Sequence, residues 1–326
     1  MIRARVIGTG SYAPPDVLTN RDLEKMVDTS DAWIRERTGI IERRIASKDT
    51  ATSDLAVEAA KRALDSAGAG AEDVDLILVA TVTSDMAFPG TACMVQDKLA
   101  ARRAVAFDVS AACSGFIFSL SVADAYIKGG AYKNVLVIGA ETLSKITDWT
   151  DRNTCVLFGD GAGAVLLGPD EGGRGVLSTH MHTDGSMGDL LHMPGGGSRF
   201  PASRWSVESR LHYIKMRGNE TFKIAVRALE DVVMEAITHN GLKPSDIDIM
   251  VPHQANLRII QATAKRLGIP MEKVVVTIHK YGNTSAASVP MALDEAVRDG
   301  RIKEGGLVLL EAFGGGLSWA SALIRW

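Results

Sequence analysis

Cys113 is the residue of this sequence best suited to covalent chemistry. It lies in the small-residue turn of FDVSAACSGFIFSL, residues 107–120, directly before an apolar segment with the character of a helix. At a helix start, unpaired N–H groups and the helix dipole favour an anion and lower the pKa of a thiol. A free cysteine also packs as a small buried hydrophobe, which is the structural alternative. We predict a helix that begins next to Cys113, and a thiolate nucleophile.

Two further polar residues have positions that suit chemistry. His253 follows the apolar run of IMVPHQAN, which we predict to be a buried strand, and ligands gather at the carboxyl ends of strands in α/β sheets. A core histidine with a satisfied ring is the alternative. Asn283 lies in KYGNTSAASVP, where a turn residue or a helix cap is the simpler interpretation. The inference that these residues lie near Cys113 depends on an internal repeat in the sequence.

That repeat has a period near 170 residues. LAVEAAKRALDSAGAGAEDVDLILVATVT, from Leu55, resembles IAVRALEDVVMEAITHNGLKPSDIDIMVPHQ, from Ile224, and VADAYIKGG resembles ALDEAVRDG. Each half alternates helices and apolar strands, which indicates mostly parallel βαβ units covered by helices. An offset of 170 from Cys113 gives Asn283, so we predict that these two residues occupy equivalent helix starts across a pseudo-twofold axis. The predicted halves are residues 1–172 and 173–326.

A triple glycine, Gly314 to Gly316 in EAFGGGLSW, follows another apolar run. Glycine has no Cβ, so the backbone N–H groups of such a loop can approach a substrate closely. Backbone N–H groups of this kind stabilise the oxyanion of a tetrahedral intermediate. The loop therefore predicts part of an oxyanion hole.

Composition and charge narrow the class of protein. The 326 residues carry 36 Lys and Arg against 39 Asp and Glu, and a net charge of -3 gives no overall basic field for nucleic acid. Three cysteines without CxxC spacing indicate neither a disulfide framework nor a metal site. The sequence shows no targeting segment and no run of about 18 apolar residues. We therefore expect a soluble cytoplasmic protein that does not bind a membrane.

The chain order Cys, His, Asn also occurs in papain-like cysteine proteases, whose histidine and asparagine lie about 130–150 residues after the cysteine. His253 lies 140 residues after Cys113. The local signature C-G-[SA]-C-[WY] and a secretory context are absent, and a duplicated α/β chain is the wrong scaffold for that class. A Cys-His-Asn hydrolase is therefore the weaker interpretation.

Motifs along the whole chain resemble those of β-ketoacyl-acyl carrier protein synthase III of bacterial type II fatty-acid synthesis. They are IGTGSY, TNRDLEKMVDTSDAWIRERTGI, AFDVSAACSGF, LFGDGAGAVLL, VPHQANLRII, HKYGNTSAASVPMALDEAVRDG and LLEAFGGG. The resemblance implies a thiolase-like α/β fold of two pseudo-symmetric halves in five layers, αβαβα, working as a homodimer. It also implies that the enzyme needs no metal and no other cofactor.

The reaction implied by the resemblance is a ping-pong decarboxylative Claisen condensation. An acyl-CoA primer, usually acetyl-CoA, joins malonyl-acyl carrier protein and yields 3-oxoacyl-acyl carrier protein, CoA and CO2. By this resemblance Cys113 attacks the primer thioester, and the backbone N–H groups of Cys113 and Gly315 hold the oxyanion. His253 and Asn283 then donate hydrogen bonds to the malonyl thioester oxygen, a task that an amide can perform and an aspartate cannot.

The same resemblance implies how the substrates are bound. The expected acyl-CoA contacts are Trp33 and Arg152 around the adenine, Arg37 on a phosphate, Gly218 and Asn256 on the pantetheine arm, Phe313 as an apolar wall near the leaving carboxylate, and Phe88, inserted by a partner subunit, at the acyl pocket. The surface expected to bind the acidic carrier protein comprises Lys223, Gln254, Arg258, Lys265 and Arg266.

Two features depart from the family pattern. Trp149 stands where a proline is common, and a Gly- and Arg-rich segment near 194–210, with Trp205, is longer than usual. An enzyme of secondary metabolism on the same scaffold, with another acyl acceptor, therefore stays open. The complete Cys, His and Asn set disfavours a non-catalytic binding protein. Two glycine clusters, GTG from Gly8 and GDGAGA from Gly159, lack a complete phosphate-loop motif and are predicted as tight structural turns.

Overall fold

The first half of the chain forms a five-stranded sheet in a computed structural model that describes residues 2–326. Its elements are β1 (Arg3–Tyr12), β2 (Asp16–Thr19), α1 (Asn20–Leu23), α2 (Asp31–Thr38), β3 (Glu42–Ile45), α3 (Thr52–Ala67), β4 (Leu76–Ala80), α4 (Thr91–Lys98), β5 (Val105–Val109), α5 (Gly115–Lys128), β6 (Val135–Thr142), α6 (Arg152–Cys155) and β7 (Asp160–Asp170). The strand order is β1-β7-β6-β4-β5. β4 is parallel to β5 and β6, and β7 is antiparallel to β6 and β1. β4 and β6 are rich in apolar residues because they are buried along their whole length.

The second half repeats this arrangement with four strands. Its elements are β8 (Gly175–Thr183), β9 (Leu191–His192), α7 (Arg204–Glu208), β10 (Lys215–Met216), α8 (Gly218–His239), β11 (Ile249–Pro252), α9 (Leu257–Leu267), α10 (Ile278–Tyr281), α11 (Ser288–Arg298), β12 (Leu307–Gly314) and β13 (Ser318–Arg325). The order β8-β13-β12-β11 follows β1-β7-β6-β4 of the first sheet, again with one parallel and two antiparallel pairings. The predicted boundary after residue 172 falls in the connection between β7 and β8.

Helices α5 and α11 form a layer between the two sheets, and each contacts strands of both. Their apolar faces, which include Phe116, Leu120 and Leu293, belong to one core cluster with strands from each half. Helices α3 and α4 cover the outer face of the first sheet, and α8 and α9 cover that of the second. The layers are therefore αβαβα, and the predicted fold class is confirmed. The expectation of mostly parallel strands is wrong, because four of the seven pairings in the two main sheets are antiparallel.

Apart from Gly159, which directly precedes β7, the glycines of the two clusters lie inside strands, so their prediction as turns was wrong. Gly8 and Gly10 belong to β1, and Gly161 and Gly163 belong to β7. A Cβ on Gly10 would lie 2.4 Å from the carbonyl oxygen of Ala59 in α3, and one on Gly163 would lie 2.5 Å from a backbone nitrogen of α11. These glycines allow helices on both faces of the sheet to approach its backbone.

The residue equivalent to Cys113 is Ala286, not Asn283 as predicted. Helices α5 and α11 begin 173 positions apart, at Gly115 and Ser288, and a turn of 3₁₀ helix precedes each of them. The single offset of 170 placed the equivalence three residues too early. The local offset varies because connections differ in length, and it is 158 between the starts of β7 and β13.

Candidate active site

A cavity of about 890 Å³ is lined by Cys113, His253 and Asn283, together with other residues from both halves. Cys113 lies in the 3₁₀ turn before α5, as its sequence context predicted. His253 directly follows β11, and Asn283 lies in the turn between α10 and α11. Three segments that are remote in sequence therefore bring a thiol, an imidazole and a carboxamide to one space.

The thiol of Cys113 is buried, and burial raises its pKa to about 12. A hydrogen bond to Ser285 opposes this rise in pKa, while the charge of Glu141 adds to it. The prediction of a lowered pKa was therefore wrong. The desolvation of the sulfur outweighs the favourable field of the helix start, so the resting group is a neutral thiol.

The glycine loop after β12 packs directly against Cys113. A Cβ on Gly314 would lie 2.6 Å from the backbone nitrogen of Cys113. A Cβ on Gly315 would lie 2.8 Å from the carbonyl oxygen of Leu191. Only glycine permits this approach, so the loop places its backbone next to Cys113, where the sequence predicted part of an oxyanion hole.

His253 is buried and held from two sides. Its backbone N–H donates to the carbonyl of Glu311 (2.8 Å), and Nδ1 lies 2.5 Å from Oγ of Ser288. Burial lowers the pKa of the imidazole to about 3, so the ring is neutral. A neutral imidazole keeps one N–H, which suits a hydrogen-bond donor better than a general base.

Asn283 is fixed by its own turn. Its backbone N–H donates to Leu157, its carbonyl accepts from Gly159, and its side-chain Oδ1 accepts from the N–H of Ser285 (2.9 Å). Because Oδ1 accepts a hydrogen bond from a backbone N–H, the positions of the amide oxygen and nitrogen are determined. The NH2 group is left to donate into the cavity.

Of the residues expected to bind CoA, Trp33, Arg37, Gly218 and Asn256 line the cavity. The guanidinium of Arg152 lies 4.9 Å from the centroid of the Trp33 ring, and that of Arg37 lies 5.8 Å from it. Arg152 therefore stacks on Trp33 directly, so an adenine between them would require Arg152 to move away from the ring.

Of the residues expected to bind the carrier protein, Lys223 and Arg258 line the cavity. Lys265 is exposed on α9, and Arg266 forms an ion pair with Glu230. Gln254 is only 1% exposed, and its amide donates to the carbonyls of Pro252 and Val275 and accepts from two backbone N–H groups, at residues 277 and 278. The prediction that Gln254 contacts the carrier is therefore wrong, because its side chain is fully used in the core.

The two phenylalanines expected near the acyl group occupy different environments. Phe313 is buried and lines the cavity beside Leu229. Phe88 is 85% exposed and does not line the cavity of its own chain. Within its own chain, Phe88 therefore does not reach the space lined by Cys113.

The Gly- and Arg-rich segment belongs to a flap, residues 191–216, that borders the cavity. β9 and β10 pair at its two ends, and Leu191 and Met216 line the cavity. Arg210 anchors the flap by donating from Nε to Oδ2 of Asp148 (2.8 Å), and this guanidinium holds the pKa of the Asp148 carboxyl well below its usual range. Trp205 remains more than half exposed on the flap.

Sequence patterns missed three polar residues near the catalytic set. Ser285 and Ser288 flank the start of α11, and their signal was the pair of serines in NTSAAS. Glu141 is a fully buried carboxyl that accepts hydrogen bonds from Thr81 and Thr83. Its signal was a glutamate at the end of an otherwise apolar strand, VLVIGAET.

Within residues 2–326, no group of three or more His, Cys, Asp or Glu side chains could hold a metal ion. Within the same range, no helix has the length and apolarity needed to span a bilayer. Cys93, Cys113 and Cys155 are all thiols without a disulfide partner.

Two family models match this sequence. The one described as 3-oxoacyl-[acyl-carrier-protein (ACP)] synthase III matches residues 107–185, and the one described as the C terminal of that synthase matches residues 237–326. The first range contains Cys113, and the second contains His253 and Asn283.

Similar proteins match over almost their whole lengths. A curated protein of Caldanaerobacter subterraneus subsp. tengcongensis, named β-ketoacyl-[acyl-carrier-protein] synthase III, is 58% identical over 325 residues, which are 100% of this chain and 98% of that protein. The crystal structure of 3-oxoacyl-[acyl-carrier-protein] synthase III from Aquifex aeolicus VF5 is 52% identical with a TM-score of 0.92, covering 99% of this chain and 100% of its own. The priming β-ketosynthase of the R1128 polyketide pathway is 38% identical with a TM-score of 0.91, covering 98% and 96%.

Proposed function

This chain belongs to the β-ketoacyl-[acyl-carrier-protein] synthase III family of condensing enzymes, which initiate fatty-acid synthesis, and from this premise we propose how its residues divide the reaction. Acetyl-CoA is the primer, and the order is ping-pong through an acyl group on Cys113. The observation that supports this assignment is the single cavity lined by Cys113, His253 and Asn283.

In the first half-reaction the sulfur of Cys113 bonds to the carbonyl carbon of the acyl thioester. The bond from that carbon to the CoA sulfur breaks, the Cys113 proton is released, and CoA leaves as a thiol. The oxyanion formed on the way accepts hydrogen bonds from the backbone N–H groups of Cys113 and Gly315. The close packing of the glycine loop on Cys113 supports this pair of donors.

In the second half-reaction the malonyl carboxylate leaves as CO2, and the electron pair of the broken C–C bond forms an enolate on the thioester. His253 and Asn283 donate hydrogen bonds to the enolate oxygen, which the neutral ring and the outward NH2 group support. The enolate carbon then bonds to the acyl carbon, and Cys113 leaves as a thiolate that regains a proton. The apolar side chain of Phe313 disfavours the charged carboxylate relative to CO2.

Cationic side chains at the cavity are available to both negatively charged substrate groups, CoA and the acyl carrier protein. Arg37 and Arg152 lie on the Trp33 side, where the phosphates and adenine of CoA bind. Lys223 and Arg258 line the cavity and have no carboxylate partner among the residues described, which leaves both for an acidic acyl carrier protein.

A homodimer accounts for the exposed edge of the first sheet. β5 pairs only with β4 and is the edge strand, and its Val105 and Phe107 are 47% and 36% exposed. Exposed apolar edge strands pair readily with another strand. Met86 and Phe88 extend the apolar surface, so a second copy pairing along β5 would carry Phe88 across the interface, to the acyl pocket of its partner.

A fatty-acid acceptor is preferred over a polyketide acceptor because the identity to the Aquifex synthase III, 52%, exceeds the 38% to the R1128 ketosynthase. The three unpaired thiols suit a reducing compartment, and we assign the enzyme to the cytoplasm.

Intact-mass spectrometry tests the proposed reaction. The protein is mixed with acetyl-CoA and with longer acyl-CoAs, and malonyl-acyl carrier protein is then added. We expect one acetyl group on Cys113, its loss on addition of the malonyl carrier, and a 3-oxoacyl carrier product. Loading only by longer acyl-CoAs would contradict the primer assignment, and unloading only by another acceptor would contradict the fatty-acid role.

Light scattering tests the dimer. Phe107→Lys places a charge on the β5 edge and should shift the protein from dimer to monomer. Met181→Lys places the same charge on β8, where Met181 is 41% exposed, and should leave the dimer intact. A monomer in the parental protein, or a dimer that survives Phe107→Lys, would contradict the interface.

A further inference from the structure

Ser288, the first residue of α11, has the only side chain of the described residues that lies within hydrogen-bonding distance of the His253 ring. Both residues are buried, and their Oγ and Nδ1 atoms lie 2.5 Å apart. The other ring nitrogen, Nε2, makes no hydrogen bond with any described residue, and His253 lines the cavity. We propose that Ser288 is a positioning residue that keeps the proton of His253 on Nε2.

The donor and acceptor roles of Ser288 decide this assignment. Its Oγ accepts a hydrogen bond from the backbone N–H of Gln254 (3.3 Å). Its own O–H must then find an acceptor, since a buried hydroxyl without one is costly. Within the described residues the only acceptor within hydrogen-bonding distance is Nδ1 of His253.

An alternative tautomer leaves a donor unused. If Nδ1 carried the proton, Oγ of Ser288 would receive two N–H groups, from His253 and Gln254, and its own O–H would point to no acceptor. Nε2 would also be a bare acceptor facing the cavity. Burial already keeps the ring neutral, with its pKa lowered to about 3, so the ring holds one proton and Ser288 selects its position.

The inference rests on the proposed function, because only a donor at Nε2 can stabilise the enolate oxygen. It adds a residue that touches neither substrate. The start of α11 fixes the position of Ser288. The helix that follows the Asn283 turn therefore also orients the histidine. Two donors for one oxygen are thereby organised by one segment of the second half.

The direct test is nuclear magnetic resonance of protein labelled with ¹⁵N-histidine. His253 is assigned as the signals lost in His253→Gln, and its couplings report which ring nitrogen carries the proton. We expect Nε2–H in the parental protein and a gain of Nδ1–H in Ser288→Ala. Nδ1–H in the parental protein would overturn the proposal, whether or not any variant folds.

Half-reaction rates supply the functional test. Ser288→Ala should load acetyl groups on Cys113 at the parental rate and condense about 10- to 100-fold more slowly, less than the loss of a whole donor. Ser288→Thr keeps the hydroxyl and should restore most of the rate. Ser119→Ala removes a buried hydroxyl with no partner from the central helix α5 and should change neither step.

These outcomes distinguish the positioning role of Ser288 from the donor role of His253. Parental condensation by Ser288→Ala, combined with its loss in His253→Gln, would overturn the role of Ser288 and leave the proposed function intact. Parental condensation by His253→Gln would overturn the donor role of His253 itself. A Ser288→Ala protein that loses loading and condensation equally would show a structural role and contradict positioning.

Discussion

The turns that start α5 and α11 share a backbone and differ in their chemistry. Ala112 and Ser285, which are 173 positions apart, both have positive φ, 45° and 48°. The next residue is Cys113, the proposed nucleophile, in the first half and Ala286 in the second. An unusual backbone shape is thus present in both halves, although only one of them uses it to present a thiol.

Both turns also pack on a glycine of the opposite half. A Cβ on Gly314 of β12 would meet Cys113, and a Cβ on Gly139 of β6 would lie 2.2 Å from the carbonyl oxygen of Ala286. The repeated scaffold thus brings a glycine of each half against a helix start of the other half, while the chemistry depends on individual side chains. The second half places its donors beside the equivalent position, on His253 and Asn283, rather than at it.

Removal of the thiol gives the largest expected effect. Cys113→Ser should not form an acyl-enzyme from acetyl-CoA, and condensation should fall by about 10⁴-fold or more, as for other nucleophiles. Intact-mass spectrometry checks the loading. Cys93→Ser, at a half-buried cysteine outside the cavity, should load as the parental protein does.

The equivalent position sharpens this test. Ala286→Cys in a Cys113→Ser background should remain unacylated, because Ala286 is fully buried and does not line the cavity. Acetylation at residue 286 would show that the two turns are interchangeable, and would contradict the division between the halves.

Loss of a donor in the second half should separate the two steps. Asn283→Ala should load acetyl groups on Cys113 but condense about 10²- to 10³-fold more slowly, because one donor to the enolate oxygen is gone. Asn283→Asp keeps the shape, and it should fail in the same step because a carboxylate has no N–H to donate. Release of CO2 from malonyl-acyl carrier protein measures the step. A parental rate in Asn283→Ala would remove Asn283 from the mechanism.

The fold was largely predictable because its signals are periodic and repeated. Buried apolar runs and helices ending in glycine recur in both halves, and they predicted two similar α/β halves, while the five-layer αβαβα arrangement was implied by the family resemblance. The detailed equivalence was not predictable, because loops of different length change the local offset. The glycine clusters were assigned to turns since sequence does not distinguish a turn from a strand that a helix approaches closely.

The site was predictable where residue type and a strand end coincide, as for His253, whereas Asn283 was predicted from the repeat and the family resemblance. Burial was the quantity that sequence did not supply. It raises the pKa of the Cys113 thiol instead of lowering it, and it removes Gln254 from the surface. Ser288 also escaped prediction, because a serine at a helix start has many structural uses.

Alkylation tests which force controls the thiol. With a pKa near 12, the thiolate fraction of Cys113 rises about tenfold with each pH unit, so inactivation by iodoacetamide should accelerate from pH 6 to 9 without a plateau. Acetyl-CoA added first should protect the enzyme. A plateau below pH 8 would show that the helix start dominates over burial, contrary to the environment described above.

The equivalent strands β6 and β12 each bury one glutamate near their carboxyl ends, with different partners. Glu141 accepts hydrogen bonds from Thr81, Thr83 and the backbone N–H of Val82, and burial raises its pKa to about 7. Glu311 has one carboxyl oxygen without a partner among the described residues, and burial alone raises its pKa to about 8. The cost of burying the Glu311 carboxyl is therefore offset less by hydrogen bonds than that of burying Glu141.

The smallest expected effect is on stability and comes from Glu311→Gln. Below pH 4.5 the folded and unfolded states of the parental protein both hold the Glu311 proton. Between pH 4.5 and 8 only the folded state holds it, so the free energy of unfolding falls as pH rises, by a few kcal/mol, and is constant above pH 8.

Glu311→Gln removes this pH dependence, and calorimetry should show that the Tm of the variant falls less than the parental Tm between pH 5 and 8.5, by about 3 °C or more. Glu141→Gln should reduce the fall by a smaller amount, because the folded-state pKa is nearer to 4.5. Equal effects of the two variants would show that the hydrogen bonds of Glu141 do not compensate its burial, and that the two halves bury their carboxyls at the same cost.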